Sequence, residues 1–438
     1  MVDPSALMVL WVYRVLFVPV LVALAPFQWW HMRRRGGYRE AFGERFGGGA
    51  VLPAKVGGRP RVWLQAVSVG EMLAVGPILD ALIESGAEVV VTTTTSTGYR
   101  LARERYAGKV LAIGYFPLDW LPFTRRAWRR IDADVAILTE GERWPEFIAE
   151  AARRGVPLVA MNARLSDRSF QRMRRMGPWL APLWRGITHL LPATEADALR
   201  FRELGFAPRA MVVTGNIKLD VAVNEIGPEA RSQWRAELGL GTTDSIVLGA
   251  STWPGEERAM VAAWQGARAA GHGGRLLLVP RHAERRREIE AELETLGVRY
   301  HFRSRGMASD QNIEVAVADT TGELAQLTRL GDVVFVGKSL PPHHAGQTPV
   351  EAAALGRPLL FGPAMSNFRV IARELVEAGA AQRVQSAEHL AEWVTRLLSN
   401  ETERIAMSAA GRSWHQRNRG AVERTMTVLR ALLATAAN

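Results

Sequence analysis

The chain has no cysteine in 438 residues. That excludes thiol nucleophiles, disulfide staples, Cys-ligated zinc and thiolate-bound iron–sulfur clusters. There is no Walker A loop and no complete GxGxxG fingerprint, so neither common nucleotide-binding loop is signalled. No low-complexity tract and no internal repeat with shared motifs occurs. His343 and His344 are adjacent but lack further ligands, so no metal site is expected there. Asp132-Ala133-Asp134 resembles a metal-binding DxD pair but precedes its strand, on the wrong side of a sheet, and reads as a loop. Hydrophobic residues are 48% and charged residues 23%, which excludes a disordered chain, a collagen and a polytopic membrane protein.

What is present begins with charge. Lys and Arg number 55 against 44 Asp and Glu, a formal +11, which favours anionic partners. The 14 Trp suit interfaces or large cores. Residues 7–30 form an apolar run long enough to span a bilayer, which needs about 20 residues. Arg14 interrupts it, and Pro19 and Pro26 weaken it as a helix. No basic stretch precedes it, so a signal peptide fits poorly. Trp29 and Trp30 before Arg33, Arg34 and Arg35 read as an interface belt and a cytoplasmic stop. The segment is expected to anchor the chain, spanning the membrane or lying in its interface, with the rest cytoplasmic.

From residue 61, short apolar runs alternate with amphipathic stretches. Strands are expected at 62–66, 88–92, 110–113, 135–138, 157–161 and 211–213, with a helix over 71–84. A second series falls at 245–249, 275–279, 313–317, 332–336 and 358–361. Continuous apolar runs suit parallel strands covered on both faces. The pattern predicts an α/β chain of two Rossmann-like, doubly wound domains facing a cleft. Anchor 1–35, domains 36–225 and 226–385, and C-terminal helices 386–438 are the expected divisions. The linker is sought near 216–243, where Asn224, Gly227, Pro228, Gly239 and Gly241 cluster.

Ligands of such sheets bind beyond the carboxyl ends of the strands. After strand 62–66 come Ser68, Gly70 and Glu71. Gly70 permits a tight turn, and Glu71 at a helix start is either a cap or a general base. After 135–138 come Glu140, Glu142 and Arg143, a charged loop of site or solvent. After 275–279 come Arg281, placed like a phosphate clamp, and His282. Asp319-Thr320-Thr321-Gly322-Glu323-Leu324 opens a helix, a weak anion-site signal. After 332–336 come Lys338, then Thr348 as a cap with Pro349 at the first helical position, and Glu351, which serves ribose hydroxyls or caps the helix. Arg125, Arg126, Arg129, Arg130, Arg164, Arg168, Arg172, Arg174 and Arg175, with Trp128, Phe170 and Trp179 between them, suggest a surface for anionic lipid or nucleic acid. The anchor favours lipid.

The segments AVSVGE (66–71), TEGERWPEF (139–147), NARLSDRS (162–169), TGNIKLD (214–220), GASTWPGEE (249–257), VPRH (279–282), DTTGEL (319–324), FVGKSL (335–340), TPVEAAALG (348–356) and FGPAMSNF (361–368) occur in order along nearly the whole chain. This series resembles the 3-deoxy-D-manno-octulosonic acid (Kdo) transferases of lipopolysaccharide biosynthesis. NARLSDRS and TGNIKLD are its specific parts. The resemblance implies an inverting GT-B glycosyltransferase at the cytoplasmic membrane, moving Kdo from CMP-Kdo to a phosphorylated lipid A precursor. It implies Glu71 as base, Glu140 or Glu142 as a second acidic position, and CMP contacts from Arg281, Thr321 to Leu324 and Glu351. Ser251 and Thr252 would line the donor side. No metal or other cofactor and no nucleic-acid partner is implied; oligomeric state is not addressed. The family's usual Gly-Gly-His-Asn-Pro reads Ala345-Gly346-Gln347-Thr348-Pro349 here, FVGGS reads FVGKS, and PAMSNF lacks a His. Alternatives are a UDP-sugar transferase such as lipid A disaccharide synthase, a UDP-sugar 2-epimerase, or a non-enzymatic basic adaptor.

Overall fold

The computed structural model describes residues 4–35, 40–184, 186–206, 211–221, 226–310 and 312–437. Asn224 of the expected linker lies outside them. The chain forms two compact units, Met1–Asp220 with Arg419–Asn438, and Val221–Asn418.

The first unit holds a six-stranded sheet in the order β3-β2-β1-β4-β5-β6. Its strands are β1 (Arg61–Gln65), β2 (Glu88–Thr93), β3 (Ala112–Tyr115), β4 (Val135–Thr139), β5 (Leu158–Ala163) and β6 (His189–Pro192). All neighbours pair in parallel. β1 is buried on both faces, so alternate residues feed two cores. Trp63 points to one, its ring 4.7 Å from Phe147 and 5.0 Å from Trp128. Val62 and Leu64 point to the other, with Met72, Ile78, Met426 and Leu429.

The second unit holds seven strands in the order β13-β12-β11-β7-β8-β10-β9. They are β7 (Ile246–Thr252), β8 (Arg275–Pro280), β9 (Tyr300–Phe302), β10 (Val315–Val317), β11 (Val333–Val336), β12 (Leu359–Phe361) and β13 (Ala381–Arg383). They too are parallel. In the first sheet the chain winds outward from β1 and restarts on its other side; in the second it passes from β7 through β8 to the edge strand β9, returns as β10 and restarts on the other side of β7. β1 and β4 flank that reversal in the first sheet, and β7 and β11 in the second. A crevice opens at such a point because the two following loops diverge.

The expected α/β class of two doubly wound sheets is the observed one. Several details differ. Strands β6, β9 and β13 are additional, and 211–213 contributes only a bridge from Met211 to Leu190. The helix expected over 71–84 is two, Val69–Ala74 and Gly76–Glu84, because Pro77 starts a new first turn. The segment 386–438 is divided. Ala387–Ser399 and Glu401–Asn418 belong to the second unit, and Ala421–Ala437 returns to the first. Asp220 secures the return, accepting from the N–H groups of Gly420 (2.7 Å) and Val422 (2.6 Å).

The N-terminal helix runs Pro4–Arg35 through Pro19 and Pro26. Met8–Phe27 is apolar and long enough to cross a bilayer. Trp11, Val15, Leu16, Val22, Phe27, Trp29 and Trp30 are exposed, while Leu10 is buried in the first unit's core. The basic surface expected around Trp128 and Phe170 loses both aromatics. Trp128 is wholly buried and Phe170 nearly so, because each sits on the core face of its helix. Trp179's side chain lies outside the described residues.

Candidate functional site

Glu71 stands in the first turn after β1. Ser68 caps that turn, its hydroxyl 3.4 Å from the Glu71 N–H. Glu71 Oε2 accepts from the Val67 N–H at 2.8 Å and the Thr139 hydroxyl at 2.7 Å. Oε1 receives only a 3.3 Å contact from the Ser68 hydroxyl, so it keeps lone pairs for an incoming proton. Burial pushes the carboxyl above its ordinary range, opposed by these hydrogen bonds and reinforced by the Glu140 charge. The turn does not need Gly70 for its conformation. Gly70 lies inside the helix without a left-handed φ, and the nearest atom to an added Cβ is 4.0 Å away.

The loop beyond β4 faces Glu71 across the reversal. Glu140 adopts φ +54°, a left-handed conformation that costs a side-chain-bearing residue energy. Its N–H donates to Met161 O at 2.8 Å and its carboxylate pairs with Lys218. Burial, then the neighbouring Glu71 charge, push Glu142 up to about 7. Arg143 lies 5.9 Å from the Trp184 ring. Burial lowers the Arg143 pKa, and Arg172 lowers it further against the opposing pull of Glu142. Asn162, also at positive φ (+51°), holds the turn that carries Lys218: its Oδ1 accepts from the Ile217 N–H at 3.2 Å. Neither Asn162 nor Lys218 was expected as a site residue. The signal was there, since they lie in NARLSDRS and TGNIKLD.

The second unit builds a different group at its own reversal. Ser251 takes φ +56° where the β7–β8 register shifts between Ala250 and Thr252. Gly337 packs so closely that an added Cβ would fall 2.3 Å from Ser251 O. Thr252 is buried and donates to Glu257 Oε1 at 2.8 Å. Glu256 pins the loop beyond β11. Its oxygens accept from the N–H groups of Trp253 (2.9 Å), Lys338 (2.7 Å), Ser339 (2.9 Å) and Leu340 (3.0 Å). Lys338, at φ +58°, lays its ammonium 4.2 Å from the Trp253 ring centre. His282 and His343 meet the same ring at 5.2 and 5.5 Å. Arg281 is exposed, its N–H donating to Thr252 O at 3.0 Å.

Ser251, Thr252, Arg281, His282 and Lys338 are thus brought together. Gly346 and Gln347 join them through N–H bonds to Lys338 O (2.8 Å) and Gly337 O (3.1 Å). Thr348 follows, exposed, its hydroxyl accepting from the Val350 N–H at 3.3 Å. Pro349 is the capping residue rather than the first helical one, and the helix is short, Val350–Ala354. Burial pushes the Glu351 carboxyl up. Thr321 to Leu324 form a separate set. The helix there is only Leu324–Thr328, and Glu323 is committed to Arg303 at 2.8 and 3.1 Å. That differs from the free helix N-terminus expected. His343 binds Pro254 O at 3.0 Å, and Asp132 and Asp134 pair with Lys55 at 3.2 and 2.6 Å. Among the described residues no group of three or more acidic or imidazole side chains forms a metal centre.

A family model described as 3-deoxy-D-manno-octulosonic-acid transferase (kdotransferase) matches residues 40–221. The chain is 36% identical over 431 residues to a 3-deoxy-D-manno-octulosonic acid transferase of Bordetella pertussis, covering 95% of this chain and 98% of that one. Among solved structures, a glycosyltransferase from Rickettsia africae aligns at TM-score 0.56 and 12% identity, over 86% of this chain and 99% of that one. The UDP-GlcNAc 2-epimerase of Neisseria meningitidis aligns at TM-score 0.56 and 12% identity, over 85% and 100%. These two likenesses show the fold and do not choose between their activities.

Proposed function

Since the chain belongs to the Kdo transferase family, and is therefore a glycosyltransferase of lipopolysaccharide biosynthesis, we propose that it moves Kdo from CMP-Kdo to a phosphorylated lipid A precursor with inversion. The observation that carries this is Glu71. It is a desolvated carboxylate at the reversal of the first sheet, with Oε2 held by two hydrogen bonds and Oε1 by one long contact.

In this reading Oε1 of Glu71 takes the proton of the acceptor hydroxyl as its oxygen attacks the anomeric carbon of Kdo. The bond from that carbon to the CMP phosphate breaks, and the phosphate keeps the electron pair. CMP leaves with its charge already spread over phosphate oxygens, so side-chain cations such as Arg281 and Lys338 suffice and no metal is required. Arg143 with Arg172 supplies positive charge for an acceptor phosphate beside the base. The apolar helix Met8–Phe27 and the exposed arginines of Asp167–Trp184 fit a lipid acceptor at the inner membrane surface.

The test is transfer to a tetraacyl lipid A precursor from CMP-Kdo generated in the assay, with UDP-sugars as competing donors and the product anomer read by NMR. Kdo appearing in the opposite anomeric configuration supports the proposal. Conversion of a UDP-sugar without acceptor would replace it with the epimerase reading.

A further inference from the structure

The N-terminal helix does more than carry apolar surface. Leu10, Tyr13, Arg14 and Phe17 share one face by their helical spacing, and all four engage the first unit. Arg14 makes a two-point pair with Glu146, Nε to Oε1 at 2.6 Å and Nη2 to Oε2 at 3.1 Å. The Tyr13 hydroxyl donates to Asp119 Oδ2 at 3.0 Å. Phe17 stacks on Trp120, 6.4 Å between ring centres. Glu146 is 0% exposed and Asp119 2%, so these contacts compensate buried charge.

Both acceptors sit at one place. Glu146 opens the helix Pro145–Arg154, which directly follows the Glu140–Trp144 loop. Asp119 accepts from that helix's first N–H groups, Glu146 at 3.0 Å and Phe147 at 2.9 Å. The loop's near end is held by Met161 and Lys218. Its far end is held by Glu146, which Arg14 neutralises, and by Asp119, to which Tyr13 hydrogen-bonds.

We infer that Arg14 and Tyr13 are positioning residues for the Glu140–Trp144 loop, so that the apolar N-terminal helix is a structural member of the acceptor-side site and not a detachable tether. The inference rests on the proposed reading of that loop as acceptor-side. Arg14→Met leaves the Glu146 carboxylate buried and unpaired, whereas Arg14→Met with Glu146→Met removes both charges together.

The experiment uses the full chain. In Arg14→Met, hydrogen exchange over residues 139–147 is expected to rise about tenfold while β1 and β2 are unchanged, with the double variant returning toward wild type. Tyr13→Phe keeps the ring, folds, and is expected to raise exchange in the same segment about threefold, the loss of one hydrogen bond. Flotation with anionic phospholipid vesicles should not change, whereas kcat for Kdo transfer should fall and acceptor KM rise, because the loop carries both Glu142 and Arg143. Unchanged exchange at 139–147 in Arg14→Met and Tyr13→Phe overturns the inference, as does lost vesicle binding as the sole effect. The exchange result stands whether or not the donor is CMP-Kdo, so failure of the substrate proposal is separately visible.

Discussion

The two sheets reverse direction at equivalent places yet present opposite chemistry there. Beyond β1 and β4 stand Glu71, Glu140 and Glu142, with Lys218 and Arg143 among them. Beyond β7, β8 and β11 stand Ser251, Trp253, His282 and Lys338. Both edges also force side-chain-bearing residues into the left-handed region: Glu140 and Asn162 in the first, Ser251 and Lys338 in the second. Such conformations persist where surrounding bonds over-determine them. Here Met161 and Lys218 hold Glu140, and Glu256 holds Lys338. In the proposed reading, topology supplies the place, and the residue at the strand end decides between abstracting a proton and receiving an anion.

The contrast breaks most sharply at Glu71. Glu71→Gln keeps a side chain that can still cap the helix but cannot take a proton. A fall in kcat of roughly 100-fold or more is expected, the lower range of general-base catalysis. The urea-denaturation midpoint should stay nearly constant. A loss of activity that follows only the folded fraction would make Glu71 a cap. On the other edge, Glu256→Gln turns one acceptor oxygen into a donor facing backbone N–H groups. A loss on the order of 2 kcal/mol is expected, with a raised donor KM and kcat less affected. An unchanged denaturation midpoint would show that the Lys338 loop holds itself.

The carboxylate edge also has a pH signature of its own. Glu142 is raised to about 7 by burial and by the Glu71 charge. Its contribution to stability is therefore full below the ordinary carboxylate range and is lost as pH rises through 7. Glu142→Gln should remove that loss, so the variant gains on wild type at pH 8 relative to pH 5. Parallel stability curves for variant and wild type would place Glu142 in solvent.

Legibility followed burial. Strands flanked on both sides, such as β1, β4, β7 and β8, carry unbroken apolar runs and were readable. β6, β9 and β13 were not, and each lies at a sheet edge. Their short sequences, HLLP, YHF and AQR, keep polar residues because one side is open. The placing of Glu71, Glu140 and Glu142 beyond buried strands was legible because charge there is conspicuous, whereas their roles came only from the resemblance. Asn162 and Lys218 were legible only as motif, since their roles depend on a positive φ and on a contact 78 residues apart between Glu140 and Lys218. Arg14 looked like a flaw in an apolar run. Its partner Glu146 is 132 positions away, and no local pattern announces such a pair.

The smallest expected effect is also the most diagnostic of the second edge. Lys338→Gly places the residue best suited to φ +58° where the resemblance leads one to expect glycine. Relief of the left-handed strain, about 1 kcal/mol, is offset by the added freedom of the unfolded chain. It is offset again by the lost contact with Trp253, about 0.5–1 kcal/mol. Stability should therefore hardly move. The ammonium, half-buried on an indole, remains free to turn toward an anion. Its removal should raise the KM for CMP-Kdo about threefold, the scale of one partly solvated charge, and leave kcat intact. The rise should shrink with added salt. A variant of lower kcat and unchanged KM would move Lys338 from holding the donor to the chemical step, and the division of labour between the two edges would fail with it.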